Sequence, residues 1–265
     1  LLIGDYYVST AGNDFTGDGS INNPFRHIQW AVNAALSGGR IVVFPGDYDE
    51  NITIDGKDLT ILGDDEFSSK TINGQGLDDA INVNNANYFI LKDFVITNGT
   101  DGIEINNCIS VDLNTISLSE NAANGILIDE SGYVIVDSVD VSGNGVGIKI
   151  MDSDSVSVTN SVFESNDSEG LYISSTKGII TDNTISDNRR GIRFDSNGSD
   201  DLILTRVRVE DNTNTNNADP YGAGLYIGSN NQNIDVTITD CRFLSNSNGN
   251  YYGAAIYSRN NTLSI

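Results

Sequence analysis

Histidine, cysteine, proline and basic side chains are all scarce in this chain. It has 265 residues, one His, two Cys, three Pro, and 14 Lys plus Arg against 37 Asp plus Glu, for a formal charge of -23. So acidic a chain lacks the basic surface that displaces counterions from phosphates, so nucleic acid is excluded as a partner. No run approaches the ~18 apolar residues of a membrane span, so membrane insertion is not expected. No basic segment followed by an apolar stretch opens the chain, so any secretion signal is expected to have been removed or never present. Cys108 and Cys241 stand far apart, and neither belongs to a CxxC pair. That rules out a zinc ribbon and argues against a disulfide framework. The lone His27 excludes a multi-histidine metal site, and Ser-His-Asp hydrolysis would need His27 itself as base. With Phe25, Ile28 and Trp30 around it, His27 reads as a packing residue.

Glycine is plentiful, at 27 residues, and Asn, Asp, Ser and Thr crowd the chain, so turn chemistry recurs throughout. A phrase of the form Gly-aliphatic-x-aliphatic repeats: AINV at Ala80, GIEI at Gly102, GILI at Gly125, GIKI at Gly147, GLYI at Gly170, GIRF at Gly191, GLYI at Gly224 and AIYS at Ala255. The spacings are 22, 23, 22, 23, 21, 33 and 31. Two further short alternating strands follow each phrase, such as ISVDL from Ile109 and TISLS from Thr115. Three strands per ~22-residue unit, each with period-two alternation, describe one coil of an all-β, right-handed parallel β-helix. An antiparallel sandwich would not repeat one phrase at a nearly fixed period.

A single β-helix domain over 1–265 is expected. Residues 1–79 form the N-terminal cap and first coils, and 80–265 the regular coils, with loop insertions at 211–223 and 245–254. The stretch Ile28–Leu36 puts Ile28, Ala31, Val32, Ala35 and Leu36 on one helical face, expected to plug the N-terminal mouth. Asn98, Asn121, Asn144, Asn166 and Asn188 precede the phrase and are expected to stack as a ladder. The last coil is expected to continue, or to be covered by a further segment or a second copy.

The opening carries YYVS at Tyr6, GND at Gly12, NPF before the helix, IQWAVNAA, and VVFPGDYDENITI. It resembles the N-terminal signature of secreted right-handed β-helix proteins. Pectate-lyase-like polysaccharide lyases, alginate-modifying enzymes and archaeal and bacterial surface proteins of the disaggregatase type share that opening. The resemblance spans the chain as architecture and implies an extracellular or cell-surface protein with a polysaccharide partner. The Asp-Pro-His-Glu motif of mannuronan epimerases and the Asn-Thr-Asp and His-Gly motifs of polygalacturonases are absent, so no family catalytic residue is transferred.

The coil itself supplies a candidate site. In each phrase the third residue points outward, giving a column of Asn82, Glu104, Leu127, Lys149, Tyr172, Arg193, Tyr226 and Tyr257. Two residues on, a second column reads Asn84, Asn106, Asp129, Met151, Ser174, Asp195 and Gly228. The small residue that opens the phrase is expected to leave room for a ligand at the backbone. Lys149, Arg189, Arg190 and Arg193 gather on one side of a very acidic chain, which suggests an anionic sugar held by guanidinium forks. Mutual neutralisation with Glu169 and Asp195 is the plainer reading. Tyr172, Tyr226 and Tyr257, with Tyr221, Tyr251 and Tyr252 on the loops, are expected to stack on sugar rings, or to form an aromatic ladder along the strands.

Two chemistries fit. In β-elimination of a uronate, Lys149 or Tyr172 removes a proton and Arg193 neutralises the carboxylate. In glycoside hydrolysis, Glu104 and Asp129 form the carboxylate pair, one coil and two residues apart and so about 8 Å by strand geometry. The first is favoured, and a non-catalytic binding or adhesion module is the remaining alternative. No cofactor is required. Calcium is conceivable at Asp64-Asp65-Glu66, Asp78-Asp79, Asp152 with Asp154, or Asp200-Asp201. Sequons fall at Asn51, Asn98, Asn166 and Asn197.

Overall fold

The computed structural model describes residues 5–64, 68–197, 200–215, 221–229, 234–249, 253–258 and 262–264. It is a parallel β-solenoid. One sheet stacks nine parallel strands: Ile52–Asp55, Ile81–Asn84, Ile103–Asn106, Asn124–Asp129, Val146–Met151, Glu169–Ser174, Arg190–Ser196, Leu225–Ser229 and Ile256–Ser258. The other two faces of each coil merge into an 18-stranded sheet, because Tyr88–Thr97 and Ser110–Ser119 run unbroken across both. The expected register holds: Glu104 lies beside Leu127, Leu127 beside Lys149, Lys149 beside Tyr172, and Tyr172 beside Arg193.

The repeated phrase explains the core. Its two aliphatic positions point inward, so Ile103, Ile105, Ile126, Ile128, Ile148, Ile150, Leu171 and Ile173 are all fully buried and stack along the axis. Each such side chain contributes ~1.5–3 kcal/mol of transfer free energy. The glycine that opens the phrase is required by the neighbouring rung. A Cβ at Gly147 would sit 2.3 Å from the Gly170 carbonyl oxygen, and one at Gly125 would sit 2.7 Å from that of Gly147. The space at this position belongs to the next coil and the Asn ladder, not to a ligand.

Each coil turns at three corners through a residue in the left-handed region. The first corner uses Asn85, Asn107, Glu130, Asp152 and Ser175. The second uses Asp93, Thr115, Ser138, Asn160 and Asp182. The third uses Asn98, Glu120, Ser165 and Asp187. Asn and Asp tolerate this conformation best, which accounts for the composition. At each corner, the residue after the left-handed one can offer a side-chain acceptor to the backbone N–H of the previous rung. At the third corner these are Asn121, Asn144, Asn166, Asn188, Asn212 and Asn246, each accepting from the rung below. Ser131, Ser153 and Thr176 do the same at the first corner, Ser161 and Asn183 at the second. These ladders satisfy backbone donors that the turns would leave buried and unpaired.

Asn98 is not in the ladder. It is itself a left-handed corner residue, and Gly99 occupies its rung's ladder position. Cys108 and Cys241 are free and occupy equivalent ladder positions at different corners. The helix covers Ile28–Ala34 and buries Ile28, Ala31 and Val32. Leu36 is 58% exposed, because the chain turns extended at Ala35 before the helical face reaches it. The Glu50 carboxylate accepts from Ile28 N at 2.7 Å and Gln29 N at 2.9 Å, capping the helix start. His27 is half exposed rather than packed, and its Nδ1 meets Asp14 Oδ2 at 2.5 Å.

Candidate functional site

The outer face of the nine-stranded sheet brings together Glu104, Asp129, Lys149, Tyr172, Arg193, Asp195, Tyr226 and Tyr257, as the columns predict. Tyr221 joins them from the first insertion, its ring stacked on Tyr257 with centroids 4.6 Å apart. Tyr251 and Tyr252 lie outside the described residues.

The column forms one continuous stack. Lys149 Nζ is 5.8 Å from the Tyr172 ring centroid, and the Arg193 guanidinium carbon is 4.8 Å from the same ring. That carbon is 5.6 Å from Tyr226, whose ring stacks on Tyr257 at 5.6 Å. The faces of Tyr172, Tyr226 and Tyr257 are thus engaged by their axial neighbours, and their edges meet solvent. The ladder alternative therefore describes these three rings better than stacking on sugars does. Rung spacing is the cause: strands ~4.8 Å apart place successive rings at near stacking distance.

The arginines separate into distinct roles. Arg193 Nε contacts Asp195 Oδ2 at 2.6 Å. Burial works against its charge, yet the Asp195 carboxylate outweighs burial and raises its pKa. Arg190 is fully buried, with Nη1 2.7 Å from Glu169 Oε1, so it cannot meet a substrate. The position one before the glycine is buried at Glu169 and Arg190, unlike the outward third position of the phrase. Arg189 is partly exposed, and its Nη2 donates to Ser168 Oγ at 2.7 Å. Arg189 Nη2 lies 3.4 Å from Glu169 Oε1, so both arginines approach that carboxylate. Lys149 has no ion pair among the described residues. Burial raises the Tyr172 phenol further above its ordinary value, with Asp195 adding to the effect, so Tyr172 holds its proton.

At the other end, Glu104 gathers with Asp79 and Asp101. Ligand oxygens of the three lie within 4.8 Å of one another. The hydrogen bond to Asp79 is the largest cause that pushes the Glu104 carboxyl up to about 7, with burial second. Burial opposes ionisation of Asp79 too, but the Glu104 and Asn82 contacts prevail and lower its pKa. One proton therefore resides on Glu104 beside an ionised Asp79. Burial raises Asp101 in turn. The paired carboxyl of Glu104 is Asp79, from the rung before. Asp129 stands diagonally one rung on, in register with Asn106. Asp79 and Asp101 precede the small residue of the phrase, and that recurring acidic position was the signal for them.

Among the described residues, this is the one group of three acidic side chains able to offer a cation ligands. Asn82 Nδ2 already donates to Asp79 Oδ2 at 3.0 Å and Glu104 Oε2 at 2.7 Å. Asn106 Nδ2 donates to Glu104 Oε1 at 3.0 Å, and Asn124 Nδ2 to Asp101 Oδ1 at 2.7 Å. Oxygens surrounded by N–H donors suit a shared proton better than calcium, which seeks six to eight free oxygens, roughly.

The chain belongs to the right-handed β-helix family: residues 79–237 match the family model described as a right handed beta helix region. Among solved structures, it is similar to pectate lyase Pel9A, at 14% identity and a TM-score of 0.53, covering 97% of this chain and 79% of that one. It is also similar to XylC, solved in complex with xylose, at 11% identity and a TM-score of 0.55, covering 91% and 70%. No curated protein sequence matches the chain. At such identities the likeness establishes the fold.

Proposed function

We propose that this chain is an extracellular glycoside hydrolase that cleaves a polysaccharide laid along the outer face of the nine-stranded sheet. Glu104 is the general acid and Asp129 the general base. The observation that carries this reading is the gathering of Glu104 with Asp79 and Asp101, their oxygens within 4.8 Å of one another, which pushes the Glu104 carboxyl up to about 7. A carboxyl raised toward neutral pH beside a carboxylate held lower is the environment an acid catalyst requires. Glu104 protonates the glycosidic oxygen as its bond to the anomeric carbon breaks. Asp129 takes a proton from the water that attacks that carbon from the other side. The two side chains are one rung and two residues apart, about 8 Å by strand geometry, which leaves room for that water and predicts inversion. No step runs through a metal.

Lys149 stands two rungs beyond Glu104, and its ammonium suits an acidic substituent on the sugar chain. The glycan reading is also consistent with the names of the two neighbours, one a pectate lyase and the other bound to xylose.

Lys149 also supports a second reading, β-elimination, since it is the cation on this face without an ion pair among the described residues. Elimination has less support elsewhere. Arg193 is already engaged by Asp195, and Tyr172 holds its proton more firmly than a free phenol.

The test is product analysis on acidic and neutral polysaccharides with wild type, Glu104→Gln and Asp129→Asn. Hydrolysis yields new reducing ends without ultraviolet absorbance, and each variant should lose at least ~100-fold in turnover. Unsaturated, absorbing ends would move the assignment to elimination. Binding without any product would make the chain a glycan-binding module.

A further inference from the structure

Among the described residues Arg190 is the largest fully buried side chain, and it sits outside the apolar stack of the core. Its guanidinium reaches in two directions. Nη1 meets Glu169 Oε1 at 2.7 Å in the rung below. On the other side Nε donates to Gly222 O at 3.0 Å, and Nη2 donates to Tyr221 O at 3.0 Å. Two successive carbonyls of the first insertion are thus held by one planar group, a grip lysine cannot reproduce. Gly222 permits the turn. Its φ is +59°, and a Cβ there would sit 2.8 Å from Tyr226 Cβ. The second insertion ends the same way: Gly253 has φ +71°, and a Cβ would sit 2.7 Å from Tyr257 Cβ.

Tyr221 differs from the rest of the stack. Tyr172, Tyr226 and Tyr257 are placed by strand register. Tyr221 precedes its strand, Leu225–Ser229, and reaches Tyr257 from the end of a loop. Only the loop's anchoring decides whether its ring stands at this end of the face.

We propose that Arg190 is a positioning residue that fixes Tyr221 as the wall of a distal sugar subsite. The inference rests on the glycan-cleaving reading of the face. Glu104 and Asp129 occupy adjacent rungs, and the Tyr221–Tyr257 pair lies four to five rungs beyond Asp129. A sugar unit advances about 5 Å, close to the ~4.8 Å rung spacing, so the wall meets a unit about four places from the cleaved bond. Binding energy collected that far away reaches only long chains. Arg190 therefore sets a chain-length preference.

The experiment compares wild type, Tyr221→Ala, Arg190→Lys and Arg190→Gln on uronic-acid oligosaccharides and on neutral oligosaccharides of three to eight units. Affinity is measured by calorimetry in a Glu104→Gln background, and KM and kcat in the active one. Arg190→Lys keeps the charge beside Glu169, so it guards against a variant that merely fails to fold. The expected result is a loss that grows with length: about tenfold in affinity and KM at six or more units, twofold or less at three, in both Tyr221→Ala and Arg190→Lys. Equal losses at all lengths, or none at any length in folded Arg190→Lys and Tyr221→Ala, overturns the proposal. If length-dependent binding persists but nothing is cleaved, hydrolysis fails and the subsite stands. If cleavage needs Glu104 but length dependence ignores Arg190, the subsite fails and hydrolysis stands. Absence of any oligosaccharide binding defeats both.

Discussion

Replacing Asp79 by asparagine isolates the origin of the Glu104 proton. The carboxyl of Glu104 is lifted from 4.5 to about 7, and the hydrogen bond to ionised Asp79 is the largest contribution. The amide would keep the shape and remove the charge, while Asp101 and burial would remain. The Glu104 pKa should therefore fall by about one to two units without returning fully to its ordinary value. As general acid, Glu104 works only when protonated. The alkaline limb of kcat/KM, centred near 7 in wild type, should move to lower pH by the same amount in Asp79→Asn. Stability follows the same linkage. The folded pKa of Glu104 lies above its unfolded value, so its contribution is complete below about 4.5 and is lost as pH rises through about 7. Asp79 runs the other way, its contribution present above 3.8 and lost as pH falls. Wild type should thus lose stability between about pH 5 and about pH 8 at a slope that Glu104→Gln lessens, the part left coming from the raised carboxyls of Glu50, Asp101 and Asp112. Carbon NMR of the Glu side chains reads the pKa directly, and urea melts across pH read the slope. A Glu104 pKa near its ordinary 4.5 in wild type, or an alkaline limb unmoved in Asp79→Asn, refutes the reasoning.

Other consequences are simpler to measure. Asn166→Ala removes the acceptor of Asn144 N at 3.1 Å and the donor to Val141 O at 3.1 Å, both buried. Two orphaned groups at ~1–3 kcal/mol each should lower unfolding free energy in urea by about 2–6 kcal/mol, whereas exposed Asn98→Ala should cost about 1 kcal/mol or less. Gly147→Ala must displace the Gly170 carbonyl and should yield mostly insoluble or strongly destabilised protein, while Gly56→Ala, with open space around it, should cost only its left-handed backbone. Lys149→Ala should weaken binding of acidic oligosaccharides by about tenfold and flatten its salt dependence, with neutral ones affected little. An equal loss on both would remove the acidic-substituent assignment.

The columns were legible in the sequence because stacking of parallel strands converts a 22-residue spacing into lateral neighbours. That logic located Glu104, Asp129, Lys149, Tyr172, Arg193, Asp195, Tyr226 and Tyr257. It failed where position along the coil, rather than strand alternation, sets direction. Arg190 stands one before the glycine, a position buried there and at Glu169, so it became a buried strut. The opening glycines resemble space for a ligand, yet the following rung fills it. Asn98 stands one residue before the ladder site, a shift that spacing between phrases does not resolve. Ring faces are likewise invisible to alternation: it places Tyr226 and Tyr257 outward, but only their distance shows that they cover each other. Asp79 and Asp101 share a recurring acidic position, and three-dimensional proximity to Glu104 gives it meaning.

The most direct test of the account is a crystal structure of Glu104→Gln with a bound oligosaccharide. The account predicts sugar units running parallel to the solenoid axis over the nine-stranded sheet, with one glycosidic oxygen within hydrogen-bond reach of residue 104 and an ordered water against Asp129. A glycan seated on either of the other two faces, or one that passes Glu104 and Asp129 without a linkage between them, contradicts it.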